Sequence, residues 1–182
     1  MKRALIVHGW DCNSNDYWYQ DEKKALEALG YEAKVPDMPS AVLPAMEKWV
    51  KVVSDFRPGE NDILIGHSLG TTTILRYLEK SHQKVDKVFL IAAFARDLNE
   101  YFPTTHLLDP ITDFATEKPF NWKKIKSNYN ECFVINQKDD VWVPKECGIE
   151  VAEKLGANLK LVDGTNHFSK IDLSLINKHI HS

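Results

Sequence analysis

Apolar residues fall into two kinds of grouping along the chain. The continuous apolar runs at 4–7 and 63–65, and the mainly apolar segments 85–92 and 132–136, have the length and density of strands buried on both faces of a parallel sheet. The segments 31–35 and 158–162 read as two more strands, the first stopped by Pro36. Between these runs the spacing becomes helical. Tyr17, Trp18, Ala25, Leu26 and Leu29 form one stripe that ends at Gly30. Leu43, Met46, Val50 and Val53 form another after Pro39-Ser40, and helices follow through Lys80, over 144–155 and over 169–179. Strands alternating with helices predict an α/β chain, a three-layer α/β/α sandwich around a mostly parallel six-stranded sheet, with 1–182 as one domain. One stretch breaks the alternation. Residues 94–120 contain Pro103, Pro110 and Pro119 and read as a long loop, which in a compact domain is often functional.

Composition narrows the function classes. Lys plus Arg number 23 and Asp plus Glu 26, a net charge of −3, so the basic excess of a nucleic-acid binder is missing. The longest apolar run, 88–95 between Lys87 and Arg96, falls far short of the roughly 18–20 residues of a membrane span. The first residues do not read as a secretory signal, because His8 and Gly9 interrupt the apolar run. Cys12, Cys132 and Cys147 form no CxxC pair and read as reduced thiols of a cytoplasmic protein.

Chemistry concentrates at Gly66-His67-Ser68-Leu69-Gly70, a G-x-S-x-G segment between a predicted strand and a predicted helix. A serine on so tight a turn projects from the top of the sheet, and flanking glycines let strand and helix approach. The Leu69 amide then lies at a helix N-terminus, suited to a developing anion. The hydroxyl needs a base, and chain order in such a fold runs Ser, acid, His. Of seven histidines, His8 and His67 precede Ser68, His82 ends a helix, His106 lies in the long loop, and His179 and His181 are near the C-terminus. His167, in a loop after the sixth strand, is the expected base. The acid should follow the strand 132–136, where Asp140 is favoured and Asp139 is the alternative. The turn at Gly9 can aim the Trp10 amide at the site as a second oxyanion donor. Phosphate-loop spacings are missing and the lone H-x-H spacing, His179-Ile180-His181, lies at the C-terminal end, so no cofactor and no metal is expected. Cys12 reads as a bystander. Phe94, Tyr101, Phe102, Phe114 and Phe120 could wall a substrate pocket, although core packing accounts for at least half of them.

These segments together resemble the α/β-hydrolase signature, and more closely the small cap-less serine hydrolases of the YdeN and retinoblastoma-binding protein 9 family. The resemblance rests on Val7-His8-Gly9-Trp10 with Trp18 further on, Pro36-Asp37-Met38-Pro39, the Gly66–Gly70 elbow, Phe120-Asn121-Trp122-Lys123-Lys124-Ile125, Lys138-Asp139-Asp140-Val141-Trp142-Val143-Pro144 and Gly164-Thr165-Asn166-His167-Phe168. It implies a minimal fold without a cap domain and a Ser68-Asp140-His167 triad. Asp140 is preferred over Asp139 because the family acid stands three residues before the Val-Pro. One family member is described as binding the retinoblastoma protein through L-x-C-x-E. This chain lacks that segment around Cys132 and Cys147, so that partner is not expected. The expected activity is hydrolysis of small-molecule esters with short or medium acyl groups. The competing reading is a protein-binding module on a hydrolase fold, against which stands the presence of all three triad residue types.

Overall fold

The computed structural model describes residues 2–102 and 107–180; Pro103, His106 and His181 lie outside them. Six strands, β1 (Arg3–Val7), β2 (Glu32–Lys34), β3 (Ile63–His67), β4 (Val85–Ile91), β5 (Tyr129–Gln137) and β6 (Asn158–Val162), form one sheet in the order β2-β1-β3-β4-β5-β6. Every neighbouring pair is parallel, a stricter outcome than the mostly parallel sheet expected. The continuous apolar runs occupy the centre: Ile6, Val7, Ile63, Leu64, Ile65, Val88 and Phe89 are fully buried. Strand β6 is an edge and is largely exposed.

The helices are α1 (Tyr19–Ala28), α2 (Met46–Phe56), α3 (Leu69–Lys80), α4 (Asp109–Thr116), α5 (Trp122–Lys126), α6 (Lys145–Leu155) and α7 (Ser174–Asn177). The step from β1 to β2 runs opposite to every later step across the sheet. Right-handed crossovers therefore put α1 on one face and α2, α3 and α6 on the other. Strand order reverses between β1 and β3, and the loops leaving their C-terminal ends diverge there. In open α/β sheets that crevice is where ligands bind.

Three helix starts fall later than the apolar spacing predicts. Tyr17 has a φ of 51°, outside the helical region, so α1 begins at Tyr19. Leu43 precedes Pro44, which disfavours helical backbone, so α2 begins at Met46 and Leu43 lies exposed. The last helix shrinks to one turn, and just ahead of it Asp172 accepts from the Ser174 N–H at 2.9 Å.

The segment expected as a loop is partly helical. It holds a 3-10 turn (Leu98–Glu100) and α4, whose first turn contains Pro110. Fully buried Arg76 of α3 anchors α4. Its guanidinium donates to Phe114 O (2.9 Å), Ala115 O (3.2 Å) and Lys118 O (2.7 Å) and lies 3.6 Å from the Phe120 ring centroid. The C-terminal carbonyls of α4, which lack helical partners, thus meet a cation. Among the described residues no helix is long and apolar enough to cross a membrane.

Candidate active site

Ser68 joins β3 to α3 with φ 52° and ψ −120°, a conformation that costs a non-glycine residue about 1–3 kcal/mol. Two packing constraints impose it. A Cβ on Gly66 would lie 2.7 Å from Gly70 O, and one on Gly70 would lie 2.2 Å from Val7 O. The elbow therefore closes only with glycine at both positions, and it presses α3 against the end of β1. Thr71 holds the turn, donating from its N–H (2.8 Å) and its hydroxyl (2.7 Å) to Ser68 O. The end of β1 runs alongside: a Cβ on Gly9 would be 3.3 Å from Ser68 Cβ.

His167 and Asp140 come from loops at the same edge of the sheet. The His167 Nδ1–H donates to the Asp140 carboxylate, at 2.9 Å from Oδ2 and 3.0 Å from Oδ1. Asp140 Oδ1 also accepts from the N–H groups of Trp142 (2.8 Å) and Val143 (3.0 Å). Its side chain is completely buried, whereas Asp139 is exposed and bonds Gly164 O through its backbone. A pocket of about 210 Å³ is lined by Ser68, His167, Gly9, Trp10, Asp11, Cys12 and Tyr17 on one part and by Leu98, Leu108, Ile111, Trp142 and Val143 on another. Among the described residues, no hydrogen bond joins Ser68 Oγ to His167, and the N–H groups of Trp10 and Leu69 have no protein acceptor. Hydrogen bonds to a serine nucleophile often form only when substrate is bound.

The serine hydrolase family model matches residues 4–172. The chain belongs to the serine hydrolase family. It is 32% identical to YdeN of Bacillus subtilis (strain 168) over 92% of its length and 86% of that protein. It is 27% identical to serine hydrolase RBBP9 of Rattus norvegicus, over 93% and 89%. The crystal structure of the B. subtilis ydeN product superposes with a TM-score of 0.84 at 31% identity, covering 92% of this chain and 88% of that one. Polyneuridine aldehyde esterase shares the fold at a TM-score of 0.68 and 16% identity, over 100% of this chain and 98% of that one.

The chain is thus a hydrolase enzyme with the α/β-hydrolase fold and no cap domain. Several further residues of this serine hydrolase hold the site in place. His8 is buried; its Nδ1–H donates to Gly9 O (2.7 Å) while its Nε2 accepts from Met38 N–H (2.8 Å), which fixes the backbone before Trp10. Burial lowers its pKa and keeps the ring neutral for this arrangement. Gln137, at the end of β5, grips both neighbours of His167, donating to Asn166 Oδ1 (2.8 Å) and accepting from Phe168 N–H (3.4 Å). Burial pushes the Cys12 thiol up, away from a reactive thiolate. The five aromatic residues expected at the pocket do not line it. Phe94 and Phe114 are core, with Phe114 edge-on to Trp49 at 5.7 Å, and the lining from 94–120 is aliphatic. Among the described residues no cluster of three or more His, Cys, Asp or Glu could hold a metal ion.

Sequence reasoning passed over Tyr19 and Gln137. Tyr19 carried a weak signal, a third aromatic after Tyr17 and Trp18 with a polar tip that burial would force to find a partner. Gln137 carried none, since a glutamine at a strand end has no distinguishing pattern.

Proposed function

We propose that this enzyme hydrolyses carboxylic esters through a Ser68-His167-Asp140 triad and an acyl-enzyme. One observation carries the reading: a single pocket is lined by a serine on a left-handed turn and by a histidine whose other ring nitrogen is bonded to a buried carboxylate. His167 Nε2 takes the Ser68 hydroxyl proton as Oγ attacks the ester carbonyl. The buried Asp140 holds the ring in the Nδ1–H tautomer and stabilises the imidazolium that forms. The Trp10 and Leu69 amides, without protein acceptors among the described residues, donate to the tetrahedral oxyanion. His167 then protonates the leaving alcohol, and a water molecule, deprotonated by the same ring, releases the acid from Ser68.

The substrate is a small-molecule ester with a short or medium acyl group. Leu98, Leu108, Ile111 and Val143 offer apolar surface for such a group, and about 210 Å³ leaves little room for a long chain. No cofactor or metal enters this chemistry.

A fluorophosphonate probe, which reacts only with an activated serine, tests the assignment. Wild type should label, and Ser68→Ala and His167→Ala should not. Labelling that persists in Ser68→Ala would place the nucleophile elsewhere.

A further inference from the structure

His167 and its neighbour Phe168 both adopt positive φ, 52° and 53°, and neither is glycine. Two consecutive residues in the left-handed region do not persist unless the surroundings hold them. Here each carbonyl is held by a ring N–H from a distant element. The His67 ring, at Nε2, lies 2.9 Å from His167 O, and the Trp18 indole N–H donates to Phe168 O at 2.9 Å.

The His67 bond fixes a tautomer. A carbonyl can only accept, so Nε2 carries the proton and Nδ1 has a free lone pair. Tyr19 Oη, 2.6 Å away, must then donate its hydroxyl proton to Nδ1. The same Oη accepts from the Gly9 N–H at 3.2 Å. The bonds run in one direction: Gly9 N–H to Tyr19 Oη, Tyr19 O–H to His67 Nδ1, His67 Nε2–H to His167 O. One end is the residue before the Trp10 amide and the other is the backbone of the proposed base. His67 and Tyr19 are both buried, and the Tyr17, Trp18, Tyr19 and His167 rings surround His67 with centroids 5.0–5.9 Å away. With both nitrogens engaged, His67 is unavailable as a base although it adjoins Ser68.

We propose that His67, Tyr19 and Trp18 are positioning residues: His67 with Tyr19 ties the loop of the base His167 to the oxyanion turn at Gly9 through one directional relay, and Trp18 pins the next carbonyl. This goes beyond the triad and rests on the reading of His167 as base. Removing the Tyr19 hydroxyl leaves His67 Nδ1 and the Gly9 N–H without their buried partner and cuts the relay at its middle. The ring keeps its Nε2–H bond to His167 O but loses its second anchor, so its orientation against the His167 backbone is no longer fixed. The consequence is displacement of the base, felt in the chemical step and not in substrate binding.

Nitrogen-15 NMR of histidine-labelled wild-type enzyme tests the relay without any variant. His67 should show the neutral Nε2–H pattern throughout about pH 5–8, where an unperturbed histidine would titrate. Steady-state kinetics on p-nitrophenyl butyrate then test its role. Tyr19→Phe and Trp18→Phe, each assayed below its own melting temperature, should lower kcat about tenfold to a hundredfold with KM nearly unchanged. In Tyr19→Phe the His67 Nδ1 resonance should shift, because that nitrogen has lost its hydrogen-bond donor, while Nε2 stays protonated. An Nδ1–H or cationic His67 in wild type would overturn the relay. Wild-type kcat in both variants, or a loss that falls on KM alone, would overturn the positioning role. Failure of the triad reading would show separately, as labelling or turnover that survives in Ser68→Ala or His167→Ala.

Discussion

Asp139 and Asp140 are adjacent carboxylates with opposite surroundings. The first faces solvent, and the second is buried under two backbone N–H donors and the His167 ring. Such an environment fixes the direction of its lone pairs. Asp140→Asn removes the charge that the imidazolium needs and offers His167 an amide that can enforce the wrong tautomer. Ester turnover should fall by about 10³–10⁴-fold, whereas Asp139→Asn should stay close to wild type. Measured kcat for the two variants checks this, and the reverse order would reassign the acid. At the residue scale, the pattern of the loop favoured Asp140 and kept Asp139 as the alternative. The motif resemblance leaned the same way, and in the structure the turn ending at Pro144 points the Asp140 carboxylate inward.

The α4 helix is the element that shapes the pocket beside Ser68. It was hidden in the sequence because eight residues with a proline near the start give too short a period to recognise. Its stability comes from elsewhere in the chain, from Arg76 beneath its C-terminal carbonyls and from Trp49 against Phe114. Its Ile111 and the preceding Leu108 reach the pocket. A p-nitrophenyl ester series should therefore peak at short or medium acyl groups in wild type. Ile111→Ala should move the optimum to longer chains by opening the apolar wall. Palmitoyl esters turning over faster than butyryl esters in the wild type would overturn this account of the pocket. The elbow lies at the opposite extreme of legibility. G-x-S-x-G is visible because packing against Val7 O and within the turn excludes every side chain from Gly66 and Gly70.

Across the whole molecule, α1 and α7 meet on the same face of the sheet through a buried acid. Glu22 is fully buried, and its Oε2 accepts from Asn177 Nδ2 at 3.3 Å, while Glu22 Oε1 and Asn177 Oδ1 have no hydrogen-bond partner among the described residues. Burial, offset only in part by the Asn177 bond, pushes the Glu22 carboxyl up from 4.5 to about 7. A proton on Oε1 would make it a donor for Asn177 Oδ1. Between these two pH values the folded state holds a proton that the unfolded state has released. Its contribution to stability is therefore complete below pH 4.5 and is lost as pH rises through about 7. The effect is at most about 3 kcal/mol. Glu22→Gln, which keeps a donor facing Asn177 without the charge, should flatten the dependence of Tm on pH across this window and raise Tm at pH 8 above wild type. A wild-type Tm that increases relative to Glu22→Gln between pH 5 and 8 would sink the assignment.

The sequence by itself determined the layer architecture, the strand count and the elbow. Each of these is written in local pattern: continuous apolar runs need two covered faces, and a strand-to-helix turn this tight needs its glycines. It also named Ser68, His167 and the Asp139-Asp140 pair, because chain order and strand ends place them at one edge of a parallel sheet. Tertiary structure decided which acid meets His167, which side chains line the pocket and what holds His167 in its left-handed conformation. Those outcomes depend on residues far apart in the chain, such as Tyr19 with His67, Trp18 with Phe168 and Arg76 with α4. A hydrogen bond between distant side chains leaves no periodic trace in the sequence; it exists only once the sheet has brought the loops together.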